Sequence, residues 1–237
     1  MIVVIGSAAY RPEPAGTGHA TGLAPEIAAA GAAAGAAVEL LTRIGDDGAG
    51  EELLLALARA GVGHLAILRD AGRPTALAPA VADDLAETED QDPIAAMLAE
   101  AEVAAAPPTD VPPTDVPTTA PIPEAPVLEA ADVTLGLRYL REFDVLVVVE
   151  PIAEGGAAAT VEAAAFAGAA LVVVAPPGHS MPEAYAAATV IEAPAEDPDG
   201  AFARLVGAYA AALDRGVAAG DAFRAAAESG GWEVASD

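Results

Sequence analysis

Short, uninterrupted apolar runs alternate along this chain with longer alanine-rich stretches. Runs such as Leu146–Val149 carry no polar residue, which is typical of strands covered by helices on both faces of a sheet. The sequence predicts strands at Ile2–Ile5, Val38–Ile44, Leu65–Leu68, Val145–Val149, Leu171–Val174 and Thr189–Glu192. It predicts helices at Pro25–Ala34, Glu51–Ala60, Pro93–Ala105, Val133–Arg141, Ala157–Ala167, Gly200–Arg215 and Ala218–Ser229. This alternation predicts an α/β fold, a three-layer α/β/α sandwich around a mostly parallel sheet.

The composition of the core is unusual. Alanine accounts for 65 of the 237 residues and aromatic residues for only 4%. The core must therefore be packed by close approach of backbones and by Val and Leu rather than by large rings.

The charge is strongly acidic, with 36 carboxylates against 10 basic residues and a formal net charge of −26. Such a surface repels phosphate backbones and anionic membranes, so no nucleic-acid or membrane partner is expected. All ten basic residues are Arg, which excludes lysine-based chemistry such as a P-loop lysine or a Schiff base. We interpret the excess of carboxylates as adaptation to concentrated salt, since a GC-rich genome would enrich Ala, Gly and Arg but not Asp and Glu.

Cysteine is absent, so disulfides and thiolate metal sites are excluded. The three histidines are scattered without ligand spacing, and no metal site is predicted from them. The sequence shows neither a secretory leader nor a credible membrane span, and we expect a cytoplasmic protein.

The length is compatible with a single domain over residues 1–237. Residues 106–127 interrupt the strand and helix pattern with two tandem copies of Pro-Pro-Thr-Asp-Val. Fixed φ angles and missing donors favour extended backbone there, so we expect a proline-rich surface loop or insert.

The residues around the second predicted strand resemble the N-terminal signature of the PfkB, or ribokinase-like, carbohydrate kinases. The most specific part is Ile44-Gly45-Asp46-Asp47, followed by a helix and Ala60-Gly61-Val62. Arg73-Pro74-Thr75-Ala76 is similar to the Pro-Thr that precedes a strand of the family's β lid, and Phe143 to Pro177 resembles its central βαβ unit. The resemblance implies a single-domain ribokinase-like sandwich, here with a reduced β lid.

The resemblance also implies a site for a sugar or nucleoside. Gly22 and Glu26 stand where the family has its Gly-Gly helix start and a sugar-binding Asn, and Asp47 lies in the matched motif. A carboxylate at Glu26 can still accept hydrogen bonds from hydroxyls. Where the family carries an Asp after the first strand, this chain has Ala9-Tyr10-Arg11.

The family's Gly-Ala-Gly-Asp motif, which holds phosphate at a helix N-terminus and supplies the catalytic base, has two competing counterparts. Asp221 lies in the better match by letters, whereas Asp197-Pro198-Asp199-Gly200 is the better match by position. In the second, Asp197 and Gly200 mark the remnant of the anion hole and Asp199 is a candidate base. Asp197 also fits a plain helix cap, with Pro198 at the first helical position.

Three functions remain open on this sequence. In the first, the chain is a kinase-like protein that has lost ATP-dependent transfer but binds a small polyol or nucleoside. Alternatively, it is an active sugar kinase using ATP and Mg²⁺ with Asp199 or Asp221 as base. The third is a non-catalytic partner subunit, a homodimer through lid strands near Thr75–Val81. The first is favoured because the phosphate motif and the nucleotide half of the fold are both reduced.

Overall fold

Six parallel strands form a single sheet in the computed structural model, which describes residues 1–13, 16–79, 125–140, 142–153 and 155–230. The sheet strands are β1 (Ile2–Ile5), β4 (Val38–Gly45), β5 (Ile67–Asp70), β6 (Val145–Val149), β7 (Ala170–Ala175) and β8 (Thr189–Glu192), in the spatial order β5-β4-β1-β6-β7-β8. The remaining strands, β2 (Ala9–Glu13) and β3 (Gly16–Thr21), form a separate antiparallel hairpin.

Helices cover both faces of the sheet. One apolar core lies under α1 (Leu23–Ala33), α2 (Gly48–Arg59), α5 (Ala201–Asp214) and α6 (Ala219–Ser229), and a second lies under α3 (Ala130–Tyr139) and α4 (Gly156–Ala167). Strand β6 shows why its sequence is apolar throughout, since Val145 and Val147 face the first core and Leu146 and Val148 the second. The predicted three-layer α/β/α sandwich is confirmed.

The order of the strands creates a crevice at the centre of the sheet. From β1 the chain builds outward through β4 to β5, and it then returns to place β6 against the other side of β1. Ligands of open α/β sheets bind at such a reversal, outside the carboxyl ends of the strands. Gly6 follows β1 at this point, and a Cβ there would lie 2.7 Å from the Cβ of Ala24 and 3.0 Å from that of Val149.

The hairpin of β2 and β3 is a small lid, and it was not predicted as strands. The sequence favours a flexible turn at Gly16–Gly22, because the glycine spacing does not fit a dinucleotide fingerprint and the segment does not directly follow the first strand. Tertiary packing decides otherwise: the Gly18 N–H donates to the Tyr10 hydroxyl, and a Cβ on Gly18 would lie 2.1 Å from the Arg11 carbonyl oxygen and 2.7 Å from the Tyr10 ring. Tyr10 is buried, and its backbone also bonds to Ala76 and Ala78.

Most predicted elements lie within a few residues of the observed ones. The predicted helix at Pro93–Ala105 and nearly all of the proline-rich segment lie outside the described residues. So do Ala80 and Val81 of the proposed dimer surface, whereas Thr75 of that surface is buried inside the fold. Within the part of the chain that the structure describes, no helix is long and apolar enough to cross a membrane.

Small residues allow α1 and α5 to approach closely. A Cβ on Gly207 would lie 2.6 Å from the Cβ of Ala30 and 2.7 Å from the backbone nitrogen of Gly31. On its other side α1 packs tightly on the sheet, because a Cβ on Gly31 would lie 3.2 Å from Val38 Cγ2. Helix α1 therefore cannot shift to make room for larger residues on α5 without disturbing the core.

We predict that Gly207→Ala destabilises the protein by about 1–3 kcal/mol, because the added methyl group forces the two backbones apart. The matched control is Gly220→Ala, a helical glycine of α6 with no atom within 4 Å of the added Cβ. It should gain up to about 1 kcal/mol from helix propensity. Chemical denaturation in molar salt measures both, and equal effects of the two substitutions would contradict the close packing.

Candidate functional site

Among the helices that begin at the carboxyl edge of the sheet, three carry a carboxylate from the predicted site at their start. Glu26 lies in the first turn of α1, Asp47 caps α2, and Asp197 precedes α5. Helix N-termini present unpaired N–H groups and a positive dipole end, so this edge can hold polar or anionic groups. How each carboxylate is used decides which of these positions stays open to a ligand.

At α1, Glu26 organises the junction between lid and helix. Its Oε1 accepts hydrogen bonds from the Thr21 hydroxyl at 3.1 Å and from the Gly22 N–H at 3.2 Å. Gly22 adopts φ 110°, a conformation that favours glycine, and this turns the chain from β3 into the helix. Glu26 is half-buried, and within the described residues its Oε2 accepts no hydrogen bond. That oxygen is free to accept a ligand hydroxyl.

At α2, Asp47 is engaged on both oxygens. Oδ1 accepts from the Gly50 N–H at 2.8 Å and from the Thr75 hydroxyl at 2.6 Å, and Oδ2 accepts from the Thr75 N–H at 2.8 Å. The hydrogen bond from the Thr75 hydroxyl lowers the pKa of Asp47, opposed by burial and supported by the amides of Thr75 and Gly50. These contacts make Asp47 a cap and a clamp on the segment that follows β5.

Two positions of the same motif, Gly45 and Gly50, have no room for a side chain. A Cβ on Gly45 would lie 2.4 Å from the Thr75 nitrogen, and one on Gly50 would lie 2.4 Å from the Gly45 carbonyl oxygen. The part of the sequence that most resembles the kinase family therefore forms a close junction between β4, α2 and Thr75.

At α5, the Asp197 carboxylate occupies the helix N-terminus. Its two oxygens accept from the N–H groups of Phe202 and Ala203, each at 3.0 Å. Gly200 is the residue directly before the helix, with φ 63°, and its N–H bonds to the Asp197 carbonyl. Pro198 lies three residues before Ala201, the first residue of α5, rather than at the first helical position.

The two candidate bases lie apart. Asp199 is exposed just before α5, where its carbonyl accepts from the Arg204 guanidinium at 2.5 Å. Asp221 is exposed in the first turn of α6 and pairs with Arg224 at 2.8 Å. Helix α6 begins where α5 ends, beside the amino ends of the strands, since Asp214 contacts the Met1 amine that precedes β1. The structure thus places Asp221 at the opposite edge from the other candidates.

A buried network at the switch point was not predicted. Glu150 follows β6, and its Oε1 accepts from the Tyr185 hydroxyl at 2.8 Å while Oε2 accepts from the Ile152 N–H at 3.1 Å. Burial raises the pKa of the Tyr185 phenol, which therefore stays a donor. The position of Glu150 after an apolar strand was the available signal, but no local pattern links it to Tyr185 or to nearby Thr160.

The described residues contain no group of three or more His, Asp or Glu side chains able to hold a metal ion.

We predict that Thr75→Val lowers the free energy of unfolding by about 1–3 kcal/mol near neutral pH, because Asp47 loses a donor and the Gly45 N–H loses its acceptor. A carboxyl whose pKa is lowered on folding adds stability above its unfolded pKa, and that stability is lost as pH falls through the folded pKa. The difference between wild type and variant should therefore narrow below about pH 4. Urea titrations at several pH values measure it, and a difference that does not change with pH would contradict the Asp47 link.

Solved structures resemble this chain over almost its whole length. Neither protein-family models nor curated protein sequences give a match. The structure of a protein named Sa239 superposes with a TM-score of 0.63 at 13% identity, covering 99% of this chain and 95% of that one. The PfkB protein from Polaromonas sp. JS666 gives a TM-score of 0.57 at 17% identity, covering 97% and 94%. Arabidopsis thaliana ribokinase, complexed with ribose and ATP, gives a TM-score of 0.56 at 14% identity, covering 97% of this chain and 90% of that one. The chain therefore has the fold of the ribokinase and PfkB carbohydrate kinases.

Proposed function

We propose that this protein is a carbohydrate-kinase-like binding protein that holds a small polyol or nucleoside under its lid and has lost ATP-dependent phosphoryl transfer. The observation that carries the proposal is the hydrogen bonding of Asp197 to the N-terminus of α5. Ribokinase-fold relatives include structures with ribose and ATP and with ATP and Mg²⁺. In this chain the helix start that matches the family's phosphate motif by sequence position is already occupied by an internal carboxylate.

The occupied position argues against phosphate binding on energetic grounds. A phosphate at a helix N-terminus is stabilised by free N–H donors and by the positive end of the helix dipole. Here the N–H groups of Phe202 and Ala203 are satisfied, and the Asp197 charge already interacts with the dipole. A triphosphate would have to displace Asp197 and approach two further carboxylates, Glu196 and Asp199. Pro198 offers no N–H as a substitute.

The lid side of the crevice has kept its binding chemistry. Glu26 presents next to the lid, at the start of α1, an Oε2 that accepts no hydrogen bond from the described residues. A half-buried carboxylate that accepts from hydroxyl groups suits a polyol or the ribose of a nucleoside.

An active sugar kinase is the second candidate, and one contact favours it. The Arg204 guanidinium lies beside Gly200 and donates to the Asp199 carbonyl, so a cation is available at the start of α5. In this alternative Asp199, or Asp221, is the base, and Mg²⁺ offsets the charge of the nucleotide. The third candidate, a partner subunit without catalysis, predicts a homodimer that size-exclusion chromatography in molar salt would detect.

We predict that ATP with Mg²⁺ does not raise the melting temperature of the wild-type protein in molar salt, and that Asp197→Ala does respond to ATP. The substitution frees the N–H groups of Phe202 and Ala203 for phosphate, and it should cost about 0.5–2 kcal/mol of stability through the lost cap. Differential scanning fluorimetry with and without nucleotide measures both effects.

The matched control is Asp199→Ala, which removes the same charge but no hydrogen bond to a helix amide. It should leave both stability and the lack of response to ATP unchanged. Clear stabilisation of the wild-type protein by ATP and Mg²⁺, together with phosphorylation of any polyol, would establish the active-kinase alternative instead.

A further inference from the structure

We infer that the lid face next to Glu26 binds an anionic group, a carboxylate or phosphate carried by the ligand, through Arg11. The inference rests on the proposed polyol binding at this site and names the class of ligand. Arg11 lies in β2 of the lid, and its Nε is buried without a hydrogen-bond partner.

A buried nitrogen without a partner distinguishes Arg11 from the other described arginines. With 36 carboxylates against 10 arginines, most guanidinium groups would be expected to find an acid. Within the described residues Arg43 pairs with Asp70 and Asp132, and Arg69 pairs with Asp46. No side-chain hydrogen bond or ion pair joins Arg11 to the described residues, and its buried Nε has no partner. A buried donor left unpaired costs free energy unless a ligand supplies the acceptor.

The strand register shows which way Arg11 points. Tyr10 is buried in the core beside α2, so its neighbours along β2 point to the other face of the hairpin. Arg11 is paired with His19 on β3, and Ala9 with Thr21, so these residues share that face. Thr21 donates to Glu26, which joins the face to the start of α1.

The acid on the same face does not neutralise Arg11. Glu13 accepts from His19 at 3.0 Å and is half exposed. The pair of Arg11 and His19 lies two residues along the hairpin from the pair of Ala9 and Thr21. At the usual rise of a strand, this places Arg11 about 7 Å further from Glu26 than Thr21 is. A ligand that offers hydroxyls to Glu26 and an anionic end to Arg11 therefore fits the lid face. The other unpartnered buried atom, Thr42 Oγ1, lies in the closed core and offers no comparable site.

The test compares D-gluconate, D-glucose 6-phosphate and neutral D-glucitol as probes of the full chain in molar salt. Isothermal titration calorimetry should show at least one anionic probe binding roughly tenfold or more tightly than glucitol, because charge-assisted bonds to a guanidinium are strong. Tighter binding of gluconate would indicate a carboxylate ligand, and tighter binding of glucose 6-phosphate would indicate a phosphate ligand. The preference should change little between one and three molar salt, because it depends on direct contact rather than long-range attraction.

Arg11→Gln should abolish the preference for the anionic probe and leave the affinity for glucitol unchanged. The matched control is Arg215→Gln, which makes the same change in charge at an exposed arginine that caps the far end of α5. This control should retain the preference.

Equal binding of glucitol and the anionic probes, or a preference that survives Arg11→Gln, would overturn the inference while leaving polyol binding intact. Failure of all three probes to bind the wild-type protein would overturn both the inference and the polyol binding on which it rests. Stabilisation by ATP would instead count against the loss of phosphoryl transfer alone.

Discussion

The central strand β1 is the constraint on which the rest of the structure depends. Its four residues are buried, and they pair in parallel with β4 on one side and β6 on the other. The reversal of strand order at β1 creates the crevice, and Gly6 at its end allows α1 and β6 to pack closely against it. Lid, caps and candidate site are all positioned from this strand.

At three helix starts on the carboxyl edge, a carboxylate accepts hydrogen bonds from backbone N–H groups, but with different results. Glu26 holds the turn at the start of α1, and Asp47 clamps the segment that follows β5. Asp197 instead satisfies the amides of its own helix. Since an internal carboxylate is held in place by the fold, it binds those amides at no cost in translational entropy, and an external phosphate does not have that advantage.

The elements that the sequence predicted are those encoded by local patterns. The uninterrupted apolar run of β6 and the alanine-rich α5 needed no tertiary information to recognise. The strands of the lid were not predicted, because only glycine fits at position 18 against the Tyr10 ring of the neighbouring strand. That contact between strands leaves no local pattern in the sequence. At the site, the sequence already indicated Asp197 as a possible helix cap, because Asp-Pro before a helix is a local signal. The Tyr185–Glu150 contact and the unpaired Arg11 depend on distant residues, so no local signal marked them.

The attachment of the lid to α2 has a consequence for how a ligand enters. Tyr10 lies in the core, its hydroxyl accepts from the Gly18 N–H, and Arg59 of α2 donates to the Gly18 carbonyl. Swinging the hairpin outward would expose the Tyr10 ring to water and break the Arg59 contact. Outward movement of the hairpin is therefore thermodynamically unfavourable, and a ligand has to enter the crevice without displacing it.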